Sequence, residues 1–481
     1  MQALPDGYVI VAKRDCPTCE LVVPVIQEIA RKVPRLTVLT QDDPQFPPGI
    51  SDVIDDTDLE RSWHLHIETV PTILRLEGGR EIGRAFGWHR GEWEALTGIA
   101  GLGRALPAER PGCGSKTTEP GIVDELAIRF GNVKFKSREI EIGGYEDEIE
   151  ACFDRDWSDG LPVVPPTPVR VHRMLQGTSR DPSDVLGAMP PDYQPCTVEK
   201  VAINAVMAGC KPEYFPVVLA AVEAALDERF CLHGVIATTM YIGPIVIVNG
   251  PLRRALGMNS GINVLGQGNR ANNTIGRALQ LAIRNIGGGK PGGTDRATLG
   301  SPSKLGFCFA EDEEGSCWEP LSVERGVAAG RSAVTLFAGF GPQSMVDQNS
   351  RTPDSLARSF AASLRAVHHV KSYPGPDAFL IISPEHQRTF REAGWSKAQF
   401  KEALHEHTTV PAEQVIADVD GMAAGVPEKL RGRMLRKFRP DGLNVVHAGG
   451  TAGMFSAILP GWSAAADINS APVTKEVAPW Q

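Results

Sequence analysis

Tyr8-Val-Ile-Val-Ala12, followed by Cys16-Pro17-Thr18-Cys19, decides the fold at the start of this chain. The apolar run reads as a buried strand over Gly7–Lys13. Pro17–Lys32 reads as a helix, with Val22, Val25, Ile26 and Ile29 at helical spacing. A cysteine at a helix start meets the positive end of the helix dipole, which favours its thiolate and makes it the attacking sulfur. Two thiols so spaced can close a disulfide and open it again. The same spacing serves as half of a zinc site, but zinc needs a second ligand pair. The next cysteine is Cys113, and His64 and His66 fall in a different segment. Two unconnected cysteines are the remaining alternative.

Working outward, Arg35–Thr40 reads as a second strand. Val70-Pro71-Thr72 precedes a strand at Ile73–Leu76, a Gly78-Gly79 turn and a strand at Glu81–Phe86, and a short helix runs from about His89 to Leu96. This order, with its CxxC and downstream Val-Pro-Thr, resembles the thioredoxin and glutaredoxin fold over residues 5–106. The resemblance implies that Cys16 is the nucleophile and Cys19 the resolving thiol, so that the Cys16–Cys19 disulfide is the redox-active group. It also implies that Pro71 is a cis proline whose backbone docks a partner's extended segment. One departure is visible: Arg14-Asp15 stand where that family carries a Trp before the motif.

The whole chain has 481 residues, 42% hydrophobic and 22% charged, which fits two or three folded domains. A net charge of −9, with no basic cluster interleaved with aromatics, argues against nucleic acid as a partner. The first residues lack the cationic start and apolar core of a signal peptide. The longest apolar stretch, Val235–Val248, is interrupted by Thr238, Thr239, Gly243 and Pro244, so no membrane span is expected. A cytoplasmic setting follows, in which the nine cysteines stay mostly reduced and an external thiol reductant is a partner. The 50 glycines and 37 prolines suit a loop-rich α/β enzyme.

The expected organisation is a thioredoxin-like domain at 1–106, a linker and connecting arm at 107–150, and a larger α/β catalytic domain at 151–481. The linker holds Cys113 between glycines in Pro111-Gly-Cys-Gly-Ser115, either an inert residue or a thiol mobile enough to reach another. Residues 122–150 read as a small hairpin or an arm. In the large domain an order of helix, strand, helix, strand occurs twice. The first pass uses Glu213–Leu226, Ile245–Val248, Thr274–Asn285 and Leu305–Phe309. The second uses Leu356–Val370, Phe379–Ile382, Lys397–His407 and Leu443–Val446. Two related lobes, about 151–330 and 331–481, are therefore expected. Ligands in such sheets gather at the carboxyl ends of strands. That rule points to the loops 249–254, 310–320, 383–388 and 447–455, and so to Asn249, Glu385, Gly449, Gly450 and Thr451 as substrate-binding candidates.

Glu311, Asp312, Glu313 and Glu314 follow a buried strand. They can act as acid or base, hold a divalent metal through Glu311, Glu313 and Glu314, or merely solvate a turn. Glu311, nearest the strand, is the catalytic candidate. Cys210 and Cys317 are the candidate thiols of this domain, with a buried structural role as the alternative for Cys210. The glycine- and amide-rich segment Asn259–Arg277 opens a helix and suits a small anion, with Arg270 and Asn272 as binding candidates. It matches neither a dinucleotide fingerprint nor a P-loop. His368-His369 and His405-x-His407 read as surface or capping residues.

Asp159-Gly-Leu-Pro-Val-Val-Pro-Pro-Thr, Asn204-Ala-Val-Met-Ala-Gly-Cys210 and Trp318-Glu-Pro-Leu are similar to segments of the bacterial UGSC-type (seleno)protein family over residues 151–481. The redox motif of that family is incomplete here, since Glu314-Gly-Ser-Cys317 and Cys113-Gly-Ser-Lys116 each carry one chalcogen. The functional expectation is a thiol-dependent redox or sulfur-transfer enzyme. In it, Cys16 and Cys19 serve an α/β domain acting on a small anionic substrate, with a homo-oligomer compatible. The alternatives are a metal-dependent hydrolase or lyase using the acids around Glu311, and a binding or chaperone-like protein without turnover.

Overall fold

Val9 to Ala12 are all buried, and the strand that carries them lies in the middle of the first sheet. The computed structural model describes residues 4–131, 133–462 and 470–478. The chain divides into two units, Met1–Lys134 and Phe135–Gln481, and is a mixture of helix and strand throughout.

The sheet of the first unit runs Val53–Asp55, Leu36–Thr40, Gly7–Ala12, Thr72–Glu77, Arg80–Phe86. Its first three strands are parallel and the last two antiparallel. The helix expected over Pro17–Lys32 is two, Pro17–Leu21 and Val23–Lys32. The reason is Pro24. Proline has no N–H to donate to Glu20, and its ring would strike that carbonyl, so the chain must restart its helix there. The second helix buries Val25, Ile26 and Ile29 against Ile10, Val38 and Ile73.

The stretch from Pro107 onward is not a free tether. Glu109–Arg110 pairs with Trp88–His89, and Cys113–Gly114 pairs with Thr69–Val70, both antiparallel. A 3-10 turn at Lys116–Thr118 and a helix at Ile122–Phe130 follow. Helix Glu148–Asp154 opens the second unit, and among the described residues 122–150 contain no strand.

The second unit contains two four-stranded sheets built to the same pattern. In one, Gly243–Asn249 runs parallel to Cys308–Ala310 on one side and antiparallel to Ala333–Gly339 on the other. In the other, Ala378–Ile382 runs parallel to Leu443–His447 and antiparallel to Phe455–Pro460. An outer antiparallel strand completes each, Val473–Glu476 and Gln343–Val346. The two sheets share a core in which Ile245, Ile247, Phe309 and Phe337 pack with Phe379, Ile381, Val446 and Leu459. Helix Phe215–Leu226 is buried on nearly every side, as its continuous apolar sequence requires. Helix Arg270–Asn285 starts four residues earlier than the pattern suggests, because the Asn269 side chain caps it by accepting from the Asn272 N–H at 3.1 Å. No described helix is long and apolar enough to cross a membrane.

Candidate functional sites

In the first unit Cys16 is the N-cap of helix Pro17–Leu21. Its sulfur accepts the backbone N–H of Cys19 at 3.3 Å and lies 3.6 Å from the carbonyl oxygen of Val70. Val70–Pro71 is a cis peptide, so Pro71 stands beside the dithiol. The two thiols are free and their protonation is pushed apart. A hydrogen bond from the Cys19 thiol is the main cause that lowers Cys16 to about 5, aided by the Cys113 thiol and by backbone N–H groups. Burial, reinforced by the Cys16 sulfur, drives Cys19 far upward. One sulfur is thus held as a thiolate and the other as its proton donor, the division a dithiol needs to attack and then resolve.

The sequence left Cys113 open, as an inert linker residue or a thiol mobile enough to reach another; the structure brings it to this pair, held by strand pairing with Val70. Its thiol lies beside Cys16 and is itself raised by burial and by the Cys16 sulfur. The only sequence signal was a cysteine between two glycines.

In the second unit the carboxyl ends of the two parallel strand pairs meet. The Asp312 N–H donates to the His447 carbonyl at 2.8 Å, and the Glu311 N–H donates to that of Val248 at 3.2 Å. Glu311 is 1% exposed, and burial raises its carboxyl. Its Oε2 accepts from Asn249 Nδ2 at 2.6 Å and from the Leu321 N–H at 2.9 Å. Asn249 Nδ2 also donates to Glu313 Oε1 at 3.0 Å, and the Gly250 N–H donates to the same oxygen at 2.6 Å. Arg253 and Arg254 hold Glu314. Asn249 is thus the clamp that keeps two acids together, while its own Oδ1 is buried without a partner.

His447 completes the cluster, and the sequence reading passed over it. Its Nδ1 donates to the Ile382 carbonyl at 2.9 Å, which leaves Nε2 as the unprotonated nitrogen, 3.7 Å from Asp312 Oδ2. Burial lowers its basicity and keeps the ring neutral. A Cβ on Gly315 would sit 2.1 Å from Asp312 Oδ2 and 3.1 Å from His447 Nε2, so any larger residue there would turn the Asp312 carboxylate away from His447.

The same loop leads to Cys317, which is exposed at a cavity of ≈ 400 Å³ lined by Trp318, Arg391, Trp395 and Lys397. Lys397 is already paired with Glu324 and donates to the Glu319 carbonyl, and Glu319 shares the wall. Arg391, held by the neutral Gly315 carbonyl and Gln387 amide, is the cation that with the two indoles suits a small anion with an apolar part. Cys210 lies elsewhere, beside a smaller hollow of ≈ 190 Å³ with Arg170, Arg173 and Arg270. Its thiol donates to the Thr274 carbonyl at 3.4 Å, and burial pushes it up to about 12, so it stays protonated at neutral pH.

The remaining candidates are spread among several places. Arg270 spends its Nε on the Gly209 carbonyl at 2.9 Å. Asn272 uses its amide to hold its own loop, donating to the Asn259 carbonyl at 2.9 Å and accepting from the Asn259 N–H at 3.1 Å. Glu385 accepts the Met454 N–H at 2.7 Å, and the Gly449 N–H donates to the Ser260 carbonyl at 2.9 Å. These two contacts tie the loop 447–455, with Gly450 and Thr451, to its surroundings. His368 and His405 contact backbone carbonyls at Gly461 and Pro440, and His407 pairs with Asp354. Among the described residues no three His, Cys, Asp or Glu side chains converge to hold a metal ion. The oxygens of Glu313 and Glu314 are instead turned to Asn249, Gly250 and the two arginines.

Compared with known proteins, the chain matches no family model, no curated protein and no solved structure.

Proposed function

We propose that the protein is a cytoplasmic thiol–disulfide oxidoreductase or sulfur-transfer enzyme, in which a thioredoxin-like dithiol serves a second unit acting on a small anionic substrate. The observation that carries this reading is the Cys16 sulfur at a helix start, held as a thiolate beside a Cys19 that keeps its proton. A covalent tether gives such a dithiol a high effective concentration toward one client within the same chain. In the second unit the Cys317 cavity, with Arg391 as its cation, is the substrate site, and Cys317 is the thiol that exchanges. Glu311, whose carboxyl is biased toward its protonated form, and His447, whose Nε2 is free to accept a proton, are the acid and base at the adjoining strand ends. An external thiol reductant restores the dithiol.

A metal-dependent hydrolase or lyase would need the Glu313 and Glu314 oxygens to turn away from Asn249, Gly250 and Arg253. Among the described residues no contact favours that turn.

The test is reduction of bis(2-hydroxyethyl) disulfide driven by dithiothreitol. The wild-type chain is expected to accelerate it and Cys16→Ser to lose the acceleration. Equal rates with both proteins reject the reading.

A further inference from the structure

Residues 109–118 form a strap fixed at both ends. On one side Trp88 faces Arg110 and His89 faces Glu109 across a short strand pair. On the other, Val70 faces Cys113 and Thr69 faces Gly114. Thr18, inside the CxxC motif, donates its hydroxyl to the Pro111 carbonyl at 2.7 Å. The Ser115 N–H donates to the Glu68 carbonyl at 2.9 Å, and the Ser115 hydroxyl meets the buried amide of Gln41 at 2.8 Å. The approach is close enough to demand glycine. A Cβ on Gly112 would lie 2.4 Å from Thr69 Cγ2 and 2.7 Å from the Val70 oxygen.

This strap covers the dithiol. Cys16 is 1% exposed and Cys19 fully buried, whereas Cys113 is half-buried. Cys16 therefore has two thiol neighbours, one beneath it and one toward the surface. An outside thiol meets Cys113 before it meets Cys16.

We propose that Cys113 is a third redox thiol, which replaces Cys19 as the disulfide partner of Cys16 and passes the oxidising equivalent to an external thiol. The exchange balances. The Cys113 thiolate attacks Cys16 in the Cys16–Cys19 disulfide; the Cys16–Cys113 bond forms, and Cys19 leaves and takes a proton. An external thiolate then attacks Cys113, and Cys16 leaves as its stable thiolate. A second external thiol resolves the mixed disulfide on Cys113, giving an external disulfide. Two electrons pass from two external thiols to the protein. Burial, the larger cause of the raised basicity of Cys113, persists throughout, while the part that comes from the Cys16 sulfur is removed once that sulfur is in a disulfide, so the Cys113 thiolate forms more readily in the state it must attack than in the reduced one.

This proposal rests on the Cys16/Cys19 reading above, and its test separates the two. The full-length chain is oxidised with diamide and its disulfides are mapped by peptide mass spectrometry. Wild type is expected to give Cys16–Cys19, and Cys19→Ser to give an intramolecular Cys16–Cys113 bond. Reduction of the oxidised protein by glutathione is then expected to slow by about tenfold or more in both Cys113→Ser and Cys113→Ala. If wild type closes Cys16–Cys19 but Cys19→Ser closes no Cys16–Cys113 bond, or both Cys113 variants are reduced at the wild-type rate, the relay is overturned and the dithiol reading stands. If wild type forms no Cys16–Cys19 disulfide, both fall.

Discussion

The backbone N–H of Cys19 points at the Cys16 sulfur from 3.3 Å, so the second cysteine of the motif stabilises the charge of the first through its main chain as well as its thiol. Alkylation of the reduced protein followed against pH is therefore expected to show Cys16 half-reactive near 5, while Cys19 stays unmodified to well above neutrality. Because Cys16 is covered, its absolute rate will be modest and the midpoint is the informative quantity. A midpoint in the ordinary thiol range contradicts this account.

The same shift makes the reduced protein's stability depend on pH. Cys16 falls from an ordinary 9.0 to about 5 on folding, so its stabilisation is complete above the unfolded value and disappears as pH drops through the folded one. Wild type should gain on Cys16→Ser between those limits, by at most about 1.4 kcal/mol per pH unit. Denaturant melts of both proteins under reducing conditions measure this. A pH-independent difference would show that the thiolate is not formed.

Glu311 has the opposite sign. Burial raises its carboxyl, so the protonated form favours folding, and that advantage is lost as pH rises through the folded value. Glu311→Gln removes the titration and should gain stability on wild type as pH rises, while abolishing any turnover that uses the carboxyl as an acid. Guanidinium midpoints at several pH values check the first part. Parallel curves for the two proteins would mean that Glu311 is not held protonated.

Cys317 tests the cavity proposed to take the substrate. With the Arg391 guanidinium on its wall, and Lys397 already paired with Glu324, it should prefer iodoacetate over iodoacetamide by about threefold relative to a free cysteine. Arg391→Ala should reduce that preference. A preference for the neutral reagent would show that Glu319, which shares the cavity, outweighs the cation.

Local signals made the strand cores and the dithiol legible. The apolar runs at Tyr8–Ala12, Ile245–Val248 and Phe379–Ile382 all lie in core strands, and the helix expected over Lys397–His407 runs Lys397–Thr408. Short-range chemistry moved boundaries, as Pro24 did by splitting a helix and Asn269 by extending one. What stayed illegible depends on partners far apart in sequence. His447 is an ordinary strand-end residue until Ile382 fixes its tautomer. Asn249 becomes a clamp only when Glu311 and Glu313 arrive from more than sixty positions away. Cys113 sits in a segment whose glycines and prolines spell a linker, and only its pairing with Val70 carries it to the dithiol.

If the proposed function holds, Cys16 and Cys19 form one two-electron redox couple. Equilibration of the full chain in glutathione buffers of graded potential, with quenching and mass counting of free thiols, measures this directly. Both thiols are expected to disappear together on one curve of about 30 mV per decade, with a midpoint between about −270 and −120 mV. Thiols at Cys16 and Cys19 that stay reduced in fully oxidising buffer, or that titrate independently, would contradict it.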